Sequence, residues 1–228
     1  EQKQFQMAQE FPEKEFPQIR FFIGDVRDLE RLKRAFIGID YVIHAAAMSK
    51  PDVCDIEREK CILSNVFATE YLVKAANAVG AKVIYVSTDF VFGEGGPHAE
   101  IDVPAPLNFY GKSKLEAEKY LTLNYVKSKI SVVIIRSPIV YGFPLKANFR
   151  LLVKLVSLRF PLPFLCLKNL RDFIYVRNLT DALILCSEHP RASGKVYLVS
   201  DGQPISTPVL IKKISNLIQI RAFLFPFP

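Results

Sequence analysis

Through about the first 200 residues, short apolar segments of strand character alternate with segments whose apolar residues recur at helical spacing. This alternation constrains the fold more than any other feature. Strands separated by helix-length crossovers run parallel, and the helices between them must cover the sheet faces. Residues Gln2–Phe11 read as a polar helix, followed by a proline-bounded loop. Ile19–Ile23 is a short apolar strand closed by Gly24 and Asp25, Leu29–Phe36 a helix and Tyr41–Ala46 a buried strand. Cys61–Val79 is a long helix ended by Gly80, a residue suited to a left-handed cap, and Val83–Val86 is the third strand, running into Ser87-Thr88-Asp89. After a loop rich in Gly and Pro, a helix covers Tyr110–Tyr125 and Ser131–Ile135 is the fourth strand. Beyond Arg136 the pattern loosens around Pro138, Pro144, Pro161 and Pro163. A helix at Asn178–Glu188, a strand at Val196–Ser200 and a helix opened by Ser206-Thr207-Pro208 complete the order.

Composition enters only to exclude. Half of the 228 residues are apolar, enough for the core of one large domain or of a domain with a smaller lobe. Apolar runs such as Ser131–Ile135 stop well short of a spanning helix, and no secretory leader pattern opens the chain, so membrane insertion is not expected and the reading is cytoplasmic. The net charge of +7 suits an anionic ligand such as a nucleotide diphosphate, and equally a solvated lysine-rich surface. No arginine-rich run or aromatic-interleaved basic patch points to nucleic acid. Cys54, Cys61, Cys166 and Cys186 lack metal-site spacing with a nearby His and are expected to be plain buried thiols, with no metal bound.

Two absences stand beside these signals. A dinucleotide-binding α/β protein opens with a strand, a Gly-rich turn and a helix whose N-terminus holds the pyrophosphate, and residues 1–18 contain no glycine. The stretch from Arg221 to Pro228 ends apolar and uncapped. The expectation is a doubly wound parallel sheet whose first βαβ portion is missing, cut at both ends. By itself such a chain is expected to bind a dinucleotide weakly and to turn nothing over.

The strongest chemical signal is Tyr110-Gly-Lys-Ser-Lys114. Tyr and Lys four apart on a helix share one face, so their ends can converge on one ligand. A Tyr hydroxyl titrates near pH 10 in water, and a nearby ammonium favours the phenolate and brings that value down. The phenol can then exchange a proton with a carbinol oxygen while a nicotinamide exchanges hydride at the same carbon. Upstream, Ser87-Thr88-Asp89 lies where the third strand ends, the edge at which open α/β sheets bind ligands. A hydroxyl there can orient the reacting oxygen. Strand-end hydroxyl, then Tyr, then Lys is far more specific than Y-x-x-x-K alone.

With these residues in place, the chain resembles the extended short-chain dehydrogenases, the NAD-dependent epimerases, dehydratases and reductases of nucleotide sugars. The resemblance runs from about Ile19 to Ile220. The stretch from Arg20 to Arg31 resembles the third-strand region of polysaccharide-biosynthesis 4,6-dehydratases, and it implies that Asp25 and Val26 border the adenine. Ile43-His-Ala-Ala-Ala47 resembles the next strand, whose small residues Ala45, Ala46 and Ala47 let the cofactor backbone approach. Asn65 matches a helix Asn beside cofactor and active site. Tyr85–Phe92 and Pro106–Lys114 are similar to the 4-dehydrorhamnose reductases. By that match Thr88, Tyr110 and Lys114 form the catalytic set, with Ser87, Tyr110 and Lys114 also on the cofactor. Ile135–Gly142 resembles the segment in which Pro138 contacts the nicotinamide. The C-terminal part, through Pro161–Phe164, Arg171–Val176 and Val199–Gly202, is closer to UDP-sugar 4-epimerases, where the Arg matching Arg171 binds the substrate diphosphate. Thr88 and Arg171 are thus the implied substrate contacts.

The resemblance implies an α/β, Rossmann-like doubly wound sheet with a small C-terminal α/β lobe. Residues 1–142 would be a partial NAD(P)-binding domain and residues 143–228 an incomplete substrate-binding lobe interleaved with the main sheet. The activity it implies is NAD-dependent epimerisation at C4 of a nucleotide-activated sugar, with 4,6-dehydration or 4-keto reduction as alternatives and NADP open beside NAD. The intact protein would be a homodimer. A non-catalytic, dehydrogenase-like regulatory subunit is the alternative of another class.

Overall fold

The computed structural model describes residues 2–12, 14–19, 21–128, 130–145 and 147–226. Helices α1 (Gln2–Glu10) and α2 (Leu29–Ala35) come first, then strand β1 (Tyr41–His44). Helices α3 (Pro51–Ile56) and α4 (Arg58–Ile62) lead through a π-helical turn, Leu63–Phe67, into α5 (Ala68–Val79). Strand β2 (Lys82–Thr88), helix α6 (Phe109–Ser128) and strand β3 (Val132–Ser137) follow. The remainder is β4 (Ile139–Tyr141), α7 (Ala147–Ser157), β5 (Phe173–Tyr175), α8 (Val176–Glu188), β6 (Lys195–Leu198) and α9 (Thr207–Leu217). Four strands form a sheet in the order β1-β2-β3-β6, and β4 pairs separately with β5. β3 runs parallel to β6 with Val133 opposite Lys195, and β4 parallel to β5 with Ile139 opposite Phe173. The architecture is α/β and Rossmann-like.

Packing divides the chain into two compact units, Glu1–Val83 with Asn108–Val132, and Ile84–Leu107 with Val133–Pro228. They group residues by contact and do not bear on the expected division into residues 1–142 and 143–228. In the first unit Val42, Leu72, Val73, Ala76, Val83, Ala117 and Leu121 are buried. In the second, one cluster joins Ile84, Val133, Ile135, Ile174 and Leu179, and another joins Val156 on α7 and Leu162 to Ile211 and Ile214 on α9. Each such side chain removed from water contributes roughly 1.5–3 kcal/mol before entropy is counted.

Local chemistry explains most boundaries. Gly80 ends α5 at φ 73°, where a side chain would be strained. Ser206 caps α9 by accepting from the amide of Val209, with Pro208 in the first turn. Asn108 accepts from the amide of Gly111 at 2.7 Å and the Asp55 carboxylate from that of Phe109 at 2.9 Å, so the start of α6 is satisfied.

Some expectations are corrected. Ile19–Ile23 is not a strand among the described residues; Arg20 lies outside them. Arg31 donates to the Ile23 carbonyl at 2.7 Å and sits 4.1 Å over the Phe22 ring, so this segment packs on α2 instead of joining a ladder. The strand expected over Tyr41–Ala46 stops at His44, and the long helix over Cys61–Val79 is interrupted by the π turn. Cys54 and Cys61 are buried thiols, whereas Cys166 is exposed and Cys186 half-buried. No group of His, Cys, Asp and Glu among the described residues could hold a metal ion. No helix among them is long and apolar enough to cross a membrane.

Candidate active site

α6 carries the clearest anomaly of the first unit. A buried helix face normally holds apolar residues at three- and four-residue spacing, yet this one buries Ser113, Lys114 and Glu118 beside Gly111, Ala117 and Leu121. Tyr110, one turn before Lys114, is half-buried. Lys114 is only 2% exposed, and burial pulls its ammonium down to about 7 against the upward pull of Glu118 and Cys61.

A hydrogen-bonded chain fixes this face. Thr69 donates to the Asn65 carbonyl at 2.7 Å, so its oxygen is left to accept from His44 Nε2 at 3.0 Å. His44 is therefore the Nε2–H tautomer, kept neutral because burial, helped by the Lys114 charge, pushes it down to about 3. Asn65 sits in the π turn, a distortion often found at functional sites. Its Oδ1 accepts from the Met48 amide at 2.7 Å, and its Nδ2 donates to the Met48 carbonyl at 3.1 Å and to Ser113 Oγ at 2.9 Å. Ser113 in turn donates to the Tyr110 carbonyl at 2.8 Å. The structure thus brings Asn65 together with Ser113 and the Tyr110 backbone. The Asn65 side chain is 1% exposed and spends its polar groups on the protein. It holds the segment after β1 and the first turn of α6 in one frame.

Other expected cofactor residues of this unit lie apart from that network. Ala45 and Ala46 are exposed just beyond β1, Ala47 is half-buried, and Val26 is half-buried. The exposed Asp25 carboxylate closes a turn on Arg27, accepting from its amide at 2.8 Å and from its guanidinium at 2.6 Å. These bonds bring the carboxyl down to about 2.

The second unit holds the strand-end hydroxyls. Ser87 and Thr88 are buried at the end of β2. The Ser87 carbonyl accepts from Ser137 Oγ at 3.3 Å. Thr88 donates to Asp89 Oδ1 at 3.1 Å and accepts from the Phe90 amide at 3.2 Å. Burial raises Asp89, opposed by the Thr88 hydrogen bond and the Arg171 charge. Arg171 is exposed, its backbone pairs with Ile205 in both directions, and among the described residues it forms no ion pair with Asp172. Pro138 is half-buried between β3 and β4.

Beside these lies a cavity of about 320 Å³ bounded by Val140 to Leu145, Phe149 and Val176, a size at the lower end for small-molecule sites. Its Tyr141 wall is fixed because the hydroxyl donates to Asp201 at 2.9 Å, and Asn178 donates to the same carboxylate at 2.8 Å. At Gly142 a Cβ would meet Val176 Cγ1 at 2.5 Å, so α8 can approach β4 only over a glycine. Sequence reading gave no role to Ser113, Glu118, Asn178 or Asp201. The polar residues at helical spacing after Tyr110 were the available signal for the first two.

The sequence profile of the NAD dependent epimerase/dehydratase family matches residues 2–200. A UDP-glucose 4-epimerase of Vibrio cholerae is 36% identical over 217 residues, 91% of this chain and 66% of that protein. Methionine adenosyltransferase 2 subunit beta of Pongo abelii is 42% identical over 102 residues, 44% of this chain and 29% of that protein. The chain therefore spans less than two thirds of the length of either relative. Among solved structures, MoeE5 in complex with UDP-glucose and NAD superposes with a TM-score of 0.79 at 25% identity, covering 89% of this chain and 71% of that one.

Proposed function

Because the chain belongs to the NAD-dependent epimerase/dehydratase family, we propose that the intact protein interconverts the C4 epimers of a UDP-hexose. The observation that carries the reading is the polar face of α6, where a half-buried Tyr110 stands one turn from a buried lysine. The likeness to a UDP-glucose 4-epimerase across 91% of the chain favours epimerisation over the related reactions.

The residues suit NAD or NADP. Ala45 and Ala46 present only methyl groups at the end of β1, where open sheets take their ligands. With Asp25, Val26, Ala47, Asn65, Ser87 and Pro138 they make up the proposed cofactor contacts, Asn65 acting through the backbone it holds. When bound, the nicotinamide supplies a reversible acceptor for the C4 hydride. Tyr110 takes the proton of the C4 hydroxyl on its phenolate oxygen and returns it once the sugar has turned. Thr88 turns its hydroxyl from Asp89 to the substrate and orients it. Lys114 favours the phenolate through its charge and binds the nicotinamide ribose. Arg171 presents a guanidinium to the sugar-nucleotide diphosphate, and residues 143–228 form the substrate lobe, with the 320 Å³ cavity lined by Val140 to Leu145, Phe149 and Val176 at its start. The homodimer implied by the resemblance belongs to this reading.

A second reading, a non-catalytic subunit, is favoured by the 42% identity to methionine adenosyltransferase 2 subunit beta over 102 residues. The two separate in one experiment, in which the intact protein is incubated with NAD and UDP-glucose and the sugars are resolved. The proposal predicts UDP-galactose without net accumulation of reduced nicotinamide. A 4-keto-6-deoxy product would instead make it a dehydratase, and reduction of a 4-keto sugar a reductase. No conversion of any of these substrates would favour the subunit.

A further inference from the structure

α6 buries two ionisable groups of opposite sign one turn apart, Lys114 at 2% and Glu118 at 3% exposure. An ammonium at that depth loses its hydration and stays charged only beside a compensating charge. The groups that act on Lys114 come from three elements: Glu118 on α6, Cys61 on α4 and His44 on β1. His44 is neutral and donates to Thr69, and the Cys61 sulfur donates to Ser113 Oγ at 3.4 Å. Asp52 on α3 and Glu59 on α4, elements also packed against α6, are exposed. Asp55 on α3 caps Phe109, Cys54 on α3 donates to the Met48 carbonyl, and Glu70 on α5 acts on Tyr120. Of the groups that oppose the effect of burial on Lys114, Glu118 acts most strongly.

We propose that Glu118 is a positioning residue of the active site, whose buried carboxylate keeps Lys114 in its ammonium form and thereby sets the pH range over which Tyr110 works. The proposal rests on Tyr110 being the acid/base and assigns to Glu118 no contact with substrate or cofactor. Its sign follows from the arrangement. Without the carboxylate, Lys114 gives up its proton at lower pH. With no ammonium nearby, Tyr110 holds its own proton to higher pH, and the rising limb of the pH–rate profile moves upward.

Glu118→Gln keeps the volume and removes the charge. In the intact protein the rising limb of kcat/KM should move up by about one pH unit, a tenfold loss just below the limb, with KM for the nucleotide sugar unchanged. Glu118→Asp should move it part of the way. A second readout needs no turnover, namely thermal unfolding of Glu118→Gln, Lys114→Met and the double variant. Removing either partner of a buried pair strands the other, so the double variant should lose less Tm than the two single losses together. An unmoved limb in folded Glu118→Gln, or additive Tm losses, would overturn the proposal. Tyr110→Phe assayed alongside separates this from the underlying reading. If that variant is inactive while the Glu118→Gln limb stays put, only the role of Glu118 fails. Wild-type-like turnover in Tyr110→Phe removes the mechanism itself.

Discussion

Arg171 is an exposed side chain whose charge nonetheless reaches the buried carboxyl of Asp89. Such a guanidinium, with its backbone anchored on Ile205 and no ion pair among the described residues, is placed to receive an anion from solvent. Arg171→Leu should therefore weaken binding of a UDP-sugar by roughly 1.5–3 kcal/mol, the scale of hydrogen bonds to charged groups, and leave cofactor affinity alone. Calorimetric titration with each ligand reads both, and equal losses would make Arg171 structural. At this scale the sequence was legible where spacing carries meaning. Tyr110 and Lys114 stand out because four residues make one helical turn. Asn65 could be named but not understood, since its partners, Met48 and Ser113, are brought to it by the fold and no local pattern encodes them. The resemblance implies an adenine contact for Asp25, and in the structure its carboxylate closes a turn with Arg27.

At the scale of elements, His44 and Thr69 tie β1 to α5 through a buried bond. Because burial pushes His44 from 6.5 to about 3, the unfolded chain binds a proton there that the folded one refuses. That contribution to stability is complete above pH 6.5 and is lost progressively as pH falls from there toward 3. His44→Gln can still donate to Thr69 but does not titrate. Its unfolding free energy, from denaturant curves at pH 7 and pH 5, should fall less between the two than that of the parent. An equal fall in both would place the proton elsewhere. The alternation of strands and helices was readable because apolar periodicity survives in single elements. The π turn was not, since one extra residue in a turn leaves 3.6-residue spacing almost intact over a short window. α7, β4 and β5 were hidden for another reason: Pro138, Pro144, Pro161 and Pro163 break the pattern around elements as short as three residues.

At the scale of the molecule, the first unit presents Tyr110 and a buried polar face on α6, and the second presents strand-end hydroxyls, a guanidinium and an aromatic-walled cavity. In the proposed reading the first set supplies the proton carrier and the second the substrate-orienting groups. The polar interior of α6 was not legible in the sequence, because burial of Ser113, Lys114 and Glu118 runs against hydrophobic patterning.

The central claim is that Tyr110 moves the proton. Tyr110→Phe removes one hydroxyl from a half-buried ring, so circular dichroism and Tm should stay near the parent values. UDP-glucose to UDP-galactose turnover of the intact protein should fall by on the order of 10²-fold or more, the range supplied by a positioned acid/base group. Turnover at the parent rate in a folded Tyr110→Phe protein would contradict the account.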